Sequence, residues 1–297
     1  MDILTLSPTA LVLALASGAG YGLSGLVNKR ASQLASPLMV MAIMFLVCAI
    51  LGLVGFLWAP QSRLTPAYWL PFAASVITNC IGNFCYLSAL QRTPVSLVGA
   101  SAGLMPVFAA LTAWLILGET LTDKQWLGIV LSFIGLVITY IPARATAVER
   151  HDFGAFFKHR GAGLLLLAMA AWSAAIPFDK QAAQAASVPL HMLLIYAALS
   201  TVAFTSLWYR DPHALRHLAT RDLTIIGAAG LLRGLAYNWQ LAALVVTPVG
   251  VLELVKRLAI PLISLAGGRI WFGEKLNFTK LLGTAIFIFG LPLVIFK

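Results

Sequence analysis

The stretch "PVFAALTAWLILGETLTDKQWLGIVLSFIGLVI", residues 106–138, reads as two apolar runs joined by a short polar turn at Gly118-Glu119. Each run approaches the ~20 residues that a helix needs to cross the hydrocarbon core of a bilayer. The pattern returns in the second half as "PLISLAGGRIWFGEKLNFTKLLGTAIFIFGLPLVI", residues 261–295. Pro106, Gly118, Gly128 and Gly135 stand 12, 10 and 7 residues apart, and Pro261, Gly273, Gly283 and Gly290 repeat those intervals at an offset of 155. Upstream, "ALQRTPV" (89–95) matches "ALVVTPV" (243–249) at an offset of 154. The sequence is an internal duplication.

Outward from that stretch the whole chain has the same character. Its 297 residues are 60% hydrophobic and 10% charged, with a mean hydropathy of +0.91, against about 25% charged residues in a soluble domain. Ten spans are expected, at 8–28, 37–58, 67–88, 94–117, 123–141, 161–180, 188–208, 222–243, 249–272 and 279–296. Runs of this length exclude a β-barrel, whose strands are half as long and alternate in polarity. The first run lacks the charged leader of a cleavable signal peptide and reads as a span. The fold expected is an all-α membrane protein with ten transmembrane helices in two inverted five-helix repeats. Residues 1–141 form the first repeat, 142–160 a charged linker and 161–297 the second. Five spans per repeat is an odd number, so the second copy enters the membrane in the opposite sense, as in secondary transporters.

The motif of a proline, a Gly-Glu closing one span and a glycine-rich following span resembles the drug/metabolite transporter superfamily, EamA type. Both halves carry it. The resemblance implies ten helices, pseudo-twofold symmetry and alternating access to a central cavity.

What the two copies do not share points to the substrate. The ninth span begins "ELVKRLAIPL", and alignment on the prolines sets Glu253, Lys256 and Arg257 against Val98, Ser101 and Ala102 of the first copy. Arg257 is about eight residues into its span, ~12 Å deep at 1.5 Å per residue, close to the midplane. Arg233 in "AAGLLRGLAYNWQ" lies at similar depth in the eighth span. Each such charge costs about 2.5–3.5 kcal/mol to insert, which favours groups that face water or one another. Glu253 stands three and four residues from Lys256 and Arg257, so an intrahelical pair is available as a purely structural account. One carboxylate does not balance three cations, and the excess suits an anionic guest. The "LVKR" run is also similar to the Lys-Arg dyad of the triose-phosphate and nucleotide-sugar translocator branch. By that resemblance Lys256 and Arg257 grip a phosphate, to which Arg offers a fork and Lys a point charge.

Around these, Tyr237, Asn238, Trp239 and Gln240 on the eighth span and Asn79, Asn83 and Tyr86 on the third are read as pocket donors or as interhelical bonds. Tyr21 aligns with Trp172, and Lys29 with Lys180. The lysines are read as cavity rim or interfacial anchors. Cys48, Cys80 and Cys85 show no metal spacing. No cofactor or metal is expected, and the absence of zinc, Walker or nucleophile-elbow patterns argues against an enzyme.

The function expected is secondary transport of a small anionic, phosphate-bearing organic metabolite. An amino-acid or drug exporter and a flippase for a lipid-linked phosphate are the alternatives. The expected location is the inner (plasma) membrane, with the bilayer and the metabolite as partners and no nucleic acid; monomer and homodimer are both left open. Loops after odd-numbered spans hold twelve Lys and Arg and the opposite loops four. The positive-inside rule then puts both ends of the chain outside the cytoplasm, whereas the resemblance implies both inside. On the charge count, both ends are expected outside.

Overall fold

A computed structural model of the chain describes residues 7–59, 64–91, 104–140, 161–213, 218–272 and 278–295. Among these, ten α-helices and no strand are present. In chain order they are α1 (Pro8–Leu34), α2 (Pro37–Trp58), α3 (Trp69–Leu90, led by a 3-10 turn at Pro66–Tyr68), α4 (Met105–Leu117) and α5 (Asp123–Tyr140). The second half follows with α6 (Ala162–Ala185), α7 (Val188–Arg210), α8 (Thr220–Leu244), α9 (Val249–Phe272) and α10 (Phe278–Ile295). The expected helices are all found. Helices α1 and α6 run several residues past their expected ends, because no proline or glycine stops them there. Residues 94–103 of the expected fourth span and the linker 142–160 lie outside the described residues. On length and composition, α1, α2, the segment Pro66–Leu90, α6 and α7 are each able to cross a membrane.

Local chemistry sets the boundaries. Ser7 and Ser36 each precede a proline at the start of α1 and α2, and their hydroxyls accept from Ala10 N (3.2 Å) and Met39 N (3.4 Å). Ser187 caps α7 in the same way through Leu190 N (3.4 Å). A Ser cap satisfies an orphan helix donor, and Pro in the first turn sacrifices none. Helix α4 ends at Gly118, whose φ of 68° is left-handed backbone that suits glycine. Pro177 lies inside α6 and has no N–H to offer Ser173 O one turn earlier. The Thr112 hydroxyl of α4 donates to that carbonyl instead, at 2.7 Å.

Pairing of the helices follows a twofold plan in which each helix exchanges with the one five places on. Helix α2 packs on α7, α5 on α10 and α4 on α9. The α1–α8 contact is mirrored by α6–α3, and α1–α9 by α6–α4. One pair breaks the plan: α2 packs extensively on α8, while α7 barely touches α3. The duplicated glycines explain the close seams. A methyl group on Gly135 would lie 2.3 Å from Phe287 N and 2.7 Å from Gly283 O, and one on Gly290 would lie 2.6 Å from Gly128 O. Small residues let these backbones touch.

Alternation of the helices puts the ends of α2, α4, α6 and α8 together, here called the even end. Thr65 N and Oγ1 both donate to Ala185 O there (3.1 and 2.9 Å), and Gln184 Nε2 donates to Val245 O (3.2 Å). Large apolar side chains such as Leu70, Leu115 and Phe289 face outward. Trp58, Trp69, Trp208 and Tyr209 are exposed at helix ends, where amphipathic rings favour the headgroup level. The fold is that of a multi-pass membrane protein.

Candidate functional site

The charges of α9 are inside the bundle. Glu253 is fully buried, and the Lys256 and Arg257 side chains retain 6% and 11% of their exposure. Spacing dictates their meeting, since residues three and four apart share one helix face. Lys256 Nζ pairs with Glu253 Oε1 and donates to Gln240 Oε1 of α8 at 2.7 Å. Arg257 Nη2 lies 3.7 Å from Glu253 Oε2. Helix α1 approaches α9 so closely that a methyl on Gly18 would lie 2.1 Å from Lys256 O. One turn on, the Tyr21 ring lies 5.0 Å from Lys256 Nζ.

Arg233 of α8 completes the group. Its Nη2 donates to Asn83 Oδ1 of α3 at 2.8 Å. Its guanidinium carbon lies 5.5 to 5.9 Å from the rings of Phe45, Tyr21 and Trp172, within cation–π range. Trp172 packs in turn against Tyr86, with ring centroids 4.9 Å apart, and rests on the α3 backbone at Gly82. Gly230 holds α8 against Met44 O of α2, which sets the placement of Arg233 three residues later.

The structure thus gathers Tyr21, Asn83, Tyr86, Trp172, Arg233, Glu253, Lys256 and Arg257, drawn from α1, α3, α6, α8 and α9. Gln240 belongs with them as a direct partner of Lys256. The expectation of cations open to a central hollow needs correction. Lys256 and Arg257 share the Glu253 carboxylate, because a buried cation without a partner is far costlier than a paired one. Arg233 has an amide oxygen and aromatic faces, and among the described residues no carboxylate pairs with it. Among the described residues, buried Arg233 Nε, Arg257 Nε and Glu253 Oε2 have no hydrogen-bond partner. A cavity of about 550 Å³ lies elsewhere, lined by Leu34–Met39, Phe84, Gln91, Leu207 and Arg210, between the ends of α1, α3 and α7.

Four other expected residues stand apart from this group. Lys180 is tied to Glu119 Oε1 (2.5 Å) and Thr247 O (2.8 Å) at the even end, while Glu119 Oε2 accepts from Val249 N (2.8 Å) at the start of α9. That carboxylate suits a helix N-terminus, and left-handed Gly118 turns the chain to present it. The latch joins the two repeats. Tyr237 faces His191, with its hydroxyl 3.5 Å from Nε2, and stacks edge-on with Tyr196. Asn238 donates to Met192 Sδ at 3.6 Å. No hydrogen bond or ion pair among the described residues joins the Lys29 side chain to the central group.

Sequence reasoning missed Glu119 as the partner of Lys180, although the Gly-Glu motif had been singled out. It also passed over a buried group in which Asp179 meets His191 Nε2 at 3.3 Å and accepts from the Ser75 hydroxyl. Their spacing of twelve residues, across a helix turn, hides the contact.

Comparison with known proteins adds the following. The model of the EamA-like transporter family matches residues 8–141 and again 159–296. A Bacillus subtilis (strain 168) protein named uncharacterized transporter YwfM is 28% identical over 148 residues, which is 47% of this chain and 48% of that relative. The match spans about half the length of each. A protein of known crystal structure shares the fold with a TM-score of 0.75 at 16% identity, over 96% of this chain and 97% of the other.

Proposed function

Since the chain belongs to the EamA-like transporter family, we propose that it is a secondary transporter for a small organic anion, phosphate-bearing by preference, worked by alternating access in the inner (plasma) membrane. The observation that carries this reading is an excess of buried or half-buried positive charge, Lys256 and Arg257 sharing the one Glu253 carboxylate and Arg233 held by the Asn83 amide oxygen. Glu253 acts as the resident counter-ion. An incoming anion competes with it for Lys256 and Arg257, and Arg233 with its ring of Tyr21, Phe45 and Trp172 receives the organic part. A dianion neutralises the excess charge, so the loaded carrier crosses between states at lower cost than the empty one. That favours exchange over net flux. The Glu119–Lys180 latch ties the two repeats together at the even end.

Purified protein screened for thermal stabilisation against phosphorylated metabolites, amino acids and organic cations tests the assignment. Organic phosphates are expected to raise the melting temperature, by an amount equivalent to about 2.7 kcal/mol at a hundredfold excess over Kd. Lys256→Ala and Arg257→Ala are expected to lose that stabilisation. Retention of full stabilisation by both variants for every anion that binds would overturn the reading. A second reading, transport of a zwitterionic amino acid, draws on Glu253 Oε2, which faces Arg257 Nη2 at 3.7 Å, has no hydrogen-bond partner among the described residues and offers an acceptor for an ammonium. Stabilisation by amino acids alone would favour it.

A further inference from the structure

Away from the central cations, toward the even end, lies a second ionisable group with no part in anion binding. Asp179 of α6 and His191 of α7 are 2% and 0% exposed, Tyr68 before α3 is 0% exposed, and Ser75 of α3 is fully buried. Asp179 Oδ1 accepts from Ser75 Oγ and faces His191 Nε2 at 3.3 Å. The other imidazole nitrogen, Nδ1, is 3.2 Å from the Tyr68 hydroxyl. The Tyr237 hydroxyl of α8 lies 3.5 Å from the same Nε2 that faces Asp179. Among the described residues no lysine or arginine makes an ion pair with Asp179. Its neighbour Lys180 points instead to Glu119. The other titratable groups around are Tyr196 of α7, edge-on against Tyr237, Tyr21 of α1, in electrostatic range of Asp179, Cys48 of α2, whose thiol donates to Gly230 O, and Arg233, one turn from Tyr237 and held by Asn83.

We propose that Asp179 and His191 form a proton-binding site of the carrier, distinct from the anion site, which takes up and releases one proton in each transport cycle. The inference deepens the transport reading and rests on it. A solvent-shielded carboxylate–imidazole pair inside a membrane bundle is costly to build, and such groups belong to proton relays. Imidazole is the side chain suited to gain and lose a proton near neutral pH. In the unloaded form Nε2–H donates to Asp179, and Nδ1 accepts the Tyr68 O–H. Uptake forms an N–H bond at Nδ1, the Tyr68 hydroxyl turns to accept it, and the pair passes from one net negative charge to none. Release reverses each step.

The geometry supplies the coupling. Ser75 and Tyr68 belong to the first repeat, whereas Asp179, His191 and Tyr237 belong to the second, so the proton sits on bonds that join the halves. Asp179 also adjoins Lys180, which holds the even-end latch closed. A change in the hold of Asp179 on α3 is therefore transmitted to the helix that carries the latch.

The test is charge displacement on solid-supported proteoliposomes after a pH jump, with no organic solute present, so its outcome does not depend on the anion assignment. The wild type is expected to give a transient, and Lys124→Gln, on the exposed surface of α5, to match it. Asp179→Asn and His191→Gln are expected to reduce it at least tenfold. Tyr68→Phe keeps the ring packing on Phe72 and serves even where the buried variants fail to fold; it is expected to slow the transient severalfold. A wild type without a transient, folded Asp179→Asn or His191→Gln protein that retains it, or a Tyr68→Phe trace that superimposes on the wild type, each overturns the proposal.

Discussion

Glu253 decides how the central charges coexist. Its carboxylate serves Lys256 through one oxygen and Arg257 through the other, so its removal strands two cations at once. Glu253→Gln is expected to lower stability by about 3–5 kcal/mol, the cost of breaking a buried ion pair, measured as a fall in melting temperature in detergent. The double variant Glu253→Gln/Lys256→Met is expected to recover part of it. The pair was visible in the sequence only as an available structural account, because spacings of three and four on a helix permit it without requiring it. The partners of Arg233 were not, since Asn83 is 150 residues away and only the folded bundle brings α3 to α8. Asp179 and His191 escaped for a different reason: twelve residues apart on consecutive helices, they show no dyad spacing, and only the turn between α6 and α7 brings them together.

At the scale of the helix, close approach is what the duplicated glycines provide. Gly135 lies on the backbone of α10, while Gly227 of α8 has open space where a methyl would go. Gly135→Ala is expected to destabilise, because backbone atoms cannot move aside. Gly227→Ala is expected to be neutral or to stabilise by about 0.4–1 kcal/mol through the unfolded chain. Melting temperatures of the two variants, side by side, check this. Helix existence and order were legible from apolar length alone. The ends of α1 and α6 were not, since their polar last turns look like loop yet continue as helix against neighbouring chain. The role of the Gly-Glu turn emerged only when Lys180 appeared opposite it.

At the scale of the molecule, the duplicated ruler announced a twofold repeat, and the helix pairing follows twofold exchange except where α2 packs on α8 while α7 barely touches α3. Orientation is a separate property, fixed by charge rather than by packing. By the positive-inside rule, the twelve-to-four distribution of Lys and Arg predicts that the ends of the chain lie outside the cytoplasm. A C-terminal fusion to a reporter that fluoresces only in the cytoplasm is expected to stay dark, and a bright fusion reverses the orientation. One contact has a mechanical sequel. Ser132 and Phe287 occupy equivalent positions in the two copies, and the Ser132 hydroxyl donates to Phe287 O at 3.3 Å. Equivalent points that touch must straddle the symmetry axis, and a body that rocks between mirror-image poses has no lever arm there. In a carrier worked by alternating access the α5–α10 seam is therefore expected to act as the pivot, with displacement growing with distance from it.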